Sequence, residues 1–430
     1  MERQEKRKIW SWVSYDMGNS VFAVTVMAGF FPIFFKSYWS GDAAASLSTA
    51  RLGYAVSFAS LFVALAAPLL GTFSDNKSNK RFFLALFASF GFLCTASLSL
   101  IGAGGWVWAI LAYCGAISGF YLANIFYDSL LVNLVGPTKR AWVSSLGYAF
   151  GYLSGGLVFA INVWMTLSPQ TFGLFDITTA VKVSFLFAAL FWALGTWVCF
   201  SGVPEKSDNK PRQDNLKATW KTLKSTFQTV KQHRPAWTFL LSYWLYIDVV
   251  NTLVVMAVDY GMSLGFESKD LILALLMVQW IGFPAALGVA KLGEKFSVKK
   301  ALLLCLAVYG FVCIWATLLE QKWEFFLLAG LIGLTQGGIQ ALSRSYYANL
   351  IPENQAGEFF GFYNMLGKFA TILGPLLVAT VGLVAHALFG EQGLGIAHLD
   401  SRLGFGSLLV PLCIGAWVFI KSTTMAPSQP

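Results

Sequence analysis

Twelve stretches of this chain are apolar over about 20 residues, the length a helix needs to cross a hydrocarbon core of about 30 Å. They cover residues 10–36, 50–73, 82–102, 106–131, 142–166, 179–201, 236–260, 270–291, 300–319, 323–347, 358–388 and 403–421. Few folds are open to such a chain. Lipid offers no partner to a backbone N–H or C=O, so each stretch must satisfy its own hydrogen bonds as a helix. Composition closes the alternatives. Of 430 residues, 57% are hydrophobic and only 12% charged, with a mean hydropathy of +0.63. Soluble domains carry about 25% charge. A soluble enzyme, a nucleic-acid-binding protein and a disordered chain are therefore excluded. The expected class is an all-α membrane protein with twelve transmembrane helices and the lipid bilayer as its solvent.

The net charge of +9 does not point to nucleic acid, because lysine and arginine gather in alternate loops. They lie in 1–12, 74–81, Lys139–Arg140, 202–235 and 291–300, with Arg344 and Lys421 on the same side. The other side holds only Lys36, Arg51, Lys182, Lys269, Lys322 and Arg402. Basic loops stay in the cytoplasm, so both termini are expected there. Trp10, Trp12, Trp39, Trp106, Trp108, Trp237 and Trp323 sit at stretch ends, where an aromatic belt is expected. The basic N-terminus runs into the first stretch with no small-residue cleavage site at signal-peptide distance, which predicts a retained helix. The six cysteines fall inside apolar segments with no CxxC pair, so neither a disulfide framework nor a metal site is expected. In loop 202–235, Trp220, Leu223, Phe227 and Val230 recur at helical spacing, which predicts an amphipathic helix on the inner leaflet. The short termini and compact loops favour a bacterial plasma membrane, and a monomer is the expected state.

An internal repeat organises the chain. Tyr15-Asp16-x-x-Asn19-Ser20 in span one returns as Ile247-Asp248-x-x-Asn251-Thr252 in span seven. Asp128-Ser129-x-x-x-Asn133-Leu134 ends span four, with Pro137 beyond; Arg344-Ser345-x-x-x-Asn349-Leu350 ends span ten, with Pro352 beyond. The expected domains are a six-helix bundle over 1–201, a basic linker over 202–235 and a second bundle over 236–430. Two parallel six-helix repeats, with solute bound near mid-membrane between them, are one established transporter design. Loop 71–81 adds Gly71-Thr-Phe-Ser74-Asp75-Asn-Lys77-Ser-Asn-Lys80-Arg81, which resembles the signature between helices two and three of the major facilitator superfamily. Its second-half counterpart, Gly288 to Lys295, reads as a degenerate loop.

At finer grain the chain resembles the vacuole-effluxer family of autophagy-related amino-acid exporters and their bacterial relatives. Three passages carry this. They are Tyr15-Asp16-Met17-Gly18-Asn19-Ser20 with Phe31-Pro32; Ser145 to Gly156, with Gly147, Tyr148, Gly151, Tyr152, Gly155 and Gly156; and Gly337 to Ser345, followed by Phe359-Phe360-Gly361, Lys368 and Gly374-Pro375. Met17 and Asp128 depart from the usual pattern. The resemblance implies export of small solutes, and a cytoplasmic entrance closed by spans four, five, ten and eleven.

Charges and amides inside a span are costly, about 2.5–3.5 kcal/mol for a charge at mid-span on insertion scales, so each needs a reason. Asp16 and Asn19 share a helix face beside Tyr15; Asp248 and Asn251 repeat that geometry. The two aspartates are candidates for substrate binding and for carrying a coupling proton, against the alternative of structural bonds to neighbouring helices. Lys368 either holds a substrate carboxylate or neutralises an aspartate. Gln336, Gln340 and Arg344 recur every four residues along span ten. Gln336 and Gln340 are cavity candidates, as are Tyr152 and Gln279. Asp75, Asp128 and Arg344 are read as gating residues at the cytoplasmic end. The glycines of span five are sufficiently explained by close helix packing. No phosphate-cradling loop, metal-ligand cluster or nucleophile–base pair stands out, so no cofactor, ATP-driven step or enzymatic activity is expected. The leading expectation is a secondary transporter of small solutes, amino acids or related zwitterions first, working by alternating access with a coupling proton. An exporter of drugs, siderophores or other amphipathic solutes is the alternative, and a non-transporting receptor a distant third.

Overall fold

The computed structural model describes residues 2–41, 51, 58–71, 74, 79–204, 228–264, 266–389 and 399–425, and every structural statement below concerns these. All regular elements among them are helical. In chain order they are α1 (Glu2–Trp39), α2 (Phe58–Gly71), α3 (Lys80–Leu100), α4 (Trp106–Leu134), α5 (Pro137–Leu167) and α6 (Ile177–Gly202). Then follow α7 (Arg234–Ser263), α8 (Ser268–Phe296), α9 (Val298–Leu318), α10 (Lys322–Leu350) and α11 (Ala356–Phe389). The last stretch is broken into α12 (Leu399–Gly406) and α13 (Leu409–Met425). Nine helical segments among the described residues are long and apolar enough to cross a membrane.

Three details revise the sequence reading. The basic N-terminus is helical from Glu2, so α1 begins before the apolar stretch that opens at residue 10. Residues 288–295, read as a degenerate loop, lie inside α8, and only Ser297 separates α8 from α9. Ser297 makes that sharp junction at φ +129, a region side chains rarely adopt, and its hydroxyl accepts from the Lys300 amide at 3.3 Å as the cap of α9. Trp12 and Trp39 are fully buried, whereas Trp10, Trp108 and Trp323 are exposed. Both buried indoles serve helix packing instead of a belt: Trp39 packs among Phe31, Phe34 and Phe185. Of the expected amphipathic helix, Trp220, Leu223 and Phe227 lie outside the described residues.

The chain divides into two compact units. The first contains residues 1–223 and 352–365, the second 224–351 and 366–430. In the first, α1 packs against α5 and α6, and α3 against α4 and α6. Small residues set these distances: a methyl group on Gly18 would strike the Phe191 backbone of α6, and one on Gly195 the Ser14 carbonyl of α1. Such close backbone approach is how helices associate where no hydrophobic effect drives them together. Arg81 of α3 donates to the carbonyls of Phe200 at 3.1 Å and Val203 at 2.8 Å, satisfying the C-terminal end of α6. In the second unit, α7 packs against α13, and α10 against α8 and α9. Ser242 of α7 donates to the Gly415 carbonyl at 2.7 Å, and Lys322 pairs with Asp270 at 2.5 Å.

Candidate functional site

In the first unit the polar face of α1 meets α4 and α5. Asp16 and Asn19 are buried, at 7% and 4% exposure. The Tyr127 hydroxyl of α4 donates to Asp16 Oδ2 at 3.0 Å, and Asn19 Nδ2 donates to Asn124 Oδ1 at 2.9 Å. Trp12 lies one turn before Asp16. Its indole N–H donates to the Tyr127 carbonyl at 3.0 Å, and its ring stacks on Tyr127 at 4.2 Å. The ring of Tyr15 lies 4.7 Å from that of Tyr127. Gly147 of α5 completes the wall, since a methyl group there would sit 2.5 Å from Asp16 Oδ2. Tyr127 therefore holds three residues of α1 at once. Sequence reasoning missed it because a tyrosine in an aromatic-rich span carries no distinguishing pattern.

Residues near the N-terminal end of α11 belong to the same unit. Asn364 Nδ2 donates to Asp128 Oδ2 at 3.3 Å. Arg140, at the start of α5, donates to the Val132 carbonyl at 2.8 Å and to Glu353 at 3.0 Å. Gly361 lies so close to the Ala67 backbone of α2 that a methyl group would sit 2.8 Å from its carbonyl. Tyr152 is half-buried on α5.

The second unit carries the repeated motif on α7 with different partners. Asp248 is buried at 3% exposure, and its Oδ1 has no hydrogen-bond partner. Thr252, 1% exposed, also has an unpartnered hydroxyl, as does the indole N–H of Trp244 one turn earlier. The backbone amide of Gly374 in α11 interacts with the Asp248 carboxylate. A methyl group on Gly374 would lie 3.1 Å from Asp248 Oδ2 and closer still to Thr252 Oγ1. By the spacing of the repeat, the residue matching Tyr127 is Ser343, next to Arg344. Its hydroxyl is engaged by Tyr246 at 2.6 Å and by the Ile339 carbonyl at 2.5 Å. Asp248 thus receives no counterpart of the tyrosine that holds Asp16.

The remaining candidates are distributed as follows. Asn251, Gln279, Gln336 and Gln340 are half-buried, and Gln279 Oε1 has no partner. Arg344 is buried at 2% on α10. Lys368 lies on α11, with its side chain outside the described set, and Asp75 lies outside the described residues. The structure joins Asp16 with Asn19 on one bonded face, and Asp248 with Thr252 on another.

Residues 43–383 match the family model described as vacuole effluxer Atg22 like. An uncharacterized MFS-type transporter of Bacillus subtilis, YxiO, is 37% identical over 391 residues, covering 90% of each chain. Autophagy-related protein 22-1 of Phaeosphaeria nodorum is 23% identical, covering 89% of this chain and 86% of its own. Among solved structures, the proton:xylose symporter XylE aligns with a TM-score of 0.70 at 14% identity, covering 97% of this chain and 94% of that one. The human organic anion transporter MFSD10 aligns with a TM-score of 0.68 at 17% identity, covering 96% and 99%. At these identities the structures speak for the fold, which is that of the major facilitator superfamily. The match to the family model and to YxiO goes further: this chain is a multi-pass membrane transporter and belongs to the Atg22-like vacuole effluxer family.

Proposed function

We propose that this transporter moves amino acids or related zwitterions by alternating access, driven by an ion gradient that acts through Asp248, with the proton as the coupling ion. The observation that carries the reading is the buried Asp248 carboxylate with one oxygen unpartnered, on the helix that repeats α1. An ionised carboxylate in that position is costly, so it favours a bound proton, a cation or a cationic substrate group. Asp16 is already bonded and serves mainly to hold α1 against α4 and α5. The carboxylate of Asp248 and the ammonium of Lys368 suit a solute bearing both charges. Tyr15, Asn19, Tyr152, Asn251, Gln279, Gln336 and Gln340 supply further polar contacts, and Asp75, Asp128 and Arg344 act in gating. The basic loops and the Bacillus relative support a bacterial plasma membrane with both termini in the cytoplasm, and a monomer is the simplest working unit.

The test uses the purified protein in proteoliposomes. Asp248→Asn should abolish gradient-driven accumulation while leaving counterflow exchange, because only the coupling step needs a titrating group. Unchanged accumulation would overturn the role of Asp248. A thermal-shift screen addresses the solute, since a ligand that binds only the folded state raises the melting temperature. Stabilisation by bulky amphiphiles and none by amino acids would replace the zwitterion by the exporter alternative.

A further inference from the structure

The same carboxylate supports a second statement, which goes beyond the coupling reading and concerns a cation it can hold. We propose that Asp248 and Thr252 form a binding site for a small monovalent cation, Na⁺ or Li⁺, completed by the backbone of α11.

The argument begins with unsatisfied oxygens. Asp248 Oδ1 and Thr252 Oγ1 both lack hydrogen-bond partners, and their residues are 3% and 1% exposed. Buried polar groups are nearly always paired, so two adjacent exceptions call for an explanation. They lie one helical turn apart on the same face of α7. The two residues also meet the same point of α11: Asp248 Oδ2, the other oxygen of that carboxylate, and Thr252 Oγ1 both lie no farther than 3.1 Å from where a methyl group on Gly374 would sit. Gly374 is followed by Pro375, inside α11. Proline has no N–H, so the carbonyl four residues earlier, at Thr371, loses its usual helical donor. Carboxylate, hydroxyl and backbone carbonyl oxygens are the set that transporters use to hold a bare ion.

Size and charge narrow the occupant. The closeness of Gly374 to Thr252 Oγ1 and Asp248 Oδ2 favours a small occupant at this point. One carboxylate among neutral oxygens neutralises a single positive charge, whereas divalent cations are held by more oxygens and commonly more than one carboxylate. Hard oxygen ligands exclude soft metals. In the first unit the matching Asp16 carboxylate is bonded by Tyr127, and the oxygens of α1 that lack partners, the Tyr15 hydroxyl and Asn19 Oδ1, are neutral, so no equivalent carboxylate is open there.

The experiment measures the melting temperature of the full-length protein in detergent, at one pH and constant ionic strength, as choline is replaced by sodium or lithium. The expected result is a rise with the logarithm of sodium or lithium concentration and none with choline. Thr252→Val, which keeps the shape and removes the hydroxyl, should lose most of that rise while still folding. Asp248→Asn should lose all of it. A wild-type protein indifferent to sodium and lithium, or a Thr252→Val variant with an unchanged response, overturns the cation site. The transport assay separates this from the coupling reading. Sodium-dependent stabilisation with full accumulation in Asp248→Asn supports the site and removes its role in coupling. Loss of accumulation in that variant, with no sodium response in the wild type, keeps the proton and overturns the cation.

Discussion

Asp16 and Asp248 occupy corresponding places in a repeated motif, yet their surroundings differ. Both follow a tryptophan by four residues and precede an asparagine by three. Both rest on a helix presenting glycine, Gly147 in one case and Gly374 in the other. The difference is one residue on the fourth helix of each unit. Tyr127 reaches Asp16 with its hydroxyl and Trp12 with its carbonyl, whereas Ser343 is short and bonded to Tyr246. A duplicated scaffold thus holds one carboxylate as a structural acceptor and leaves the other available. The lesson is that equivalence in sequence fixes where a charged group stands, while its chemistry depends on what the facing helix offers.

The comparison can be broken most forcefully at transport. Asp248→Asn should lower gradient-driven accumulation by roughly 100-fold or more, the scale of losing a positioned proton carrier, while Asp16→Asn should keep most accumulation. Equal losses would show that both carboxylates couple. Next in size is the packing beneath α1. Gly147→Ala forces a methyl group against Asp16 and should cost about 1–3 kcal/mol of stability, as overpacking does, read as a lowered melting temperature. A smaller effect sharpens the role of the tyrosine. Tyr127→Phe combined with Asp16→Asn in a double-mutant cycle should give a coupling of about 0.6–1.7 kcal/mol, the range for hydrogen bonds between membrane helices. The same cycle on Ser343→Ala and Asp248→Asn should be additive within about 0.5 kcal/mol. The smallest effect lies outside the membrane, where Asp176 caps α6. The Thr179 hydrogen bond, made to the Asp176 side chain at 2.7 Å, holds its carboxyl below the usual range. A depressed carboxylate stabilises above its ordinary titration range and loses that contribution as pH falls through the folded value. Asp176→Ala should therefore lower the melting temperature at neutral pH and leave it nearly unchanged in acid. An equal deficit at both would remove the cap from the account.

Much of this was legible beforehand because membrane folding has few solutions. Length and apolarity announced helices, and the aspartate–asparagine motif announced a repeat. The family resemblance rested on three passages that include Gly147, Gly151 and Gly374, positions where side chains of a facing helix fill the space a methyl group would need. What was not legible was burial at span ends. Trp12 reads as an interfacial anchor from its position, yet its N–H is bonded inside the first unit. The α8–α9 junction was hidden too, because nothing in Gly288 to Lys295 forbids a helix that simply continues. Tyr127 and Asn124 were invisible as partners for a related reason: helical spacing predicts which residues of one helix share a face, not which neighbour they meet.

The sequence by itself determined that this chain crosses a membrane repeatedly as helices, that an aspartate–asparagine motif recurs along it, and that a few charged residues stand inside the spans. Those conclusions follow from local chemistry: the cost of unsatisfied backbone in lipid and the cost of a charge there. Only the tertiary structure decided that a side chain of a neighbouring helix bonds Asp16, while Asp248 meets a backbone amide and keeps one oxygen unpartnered. A hydrogen bond between helices far apart in the chain depends on their rotation and separation, which packing at residues such as Gly147, Gly195 and Gly374 sets.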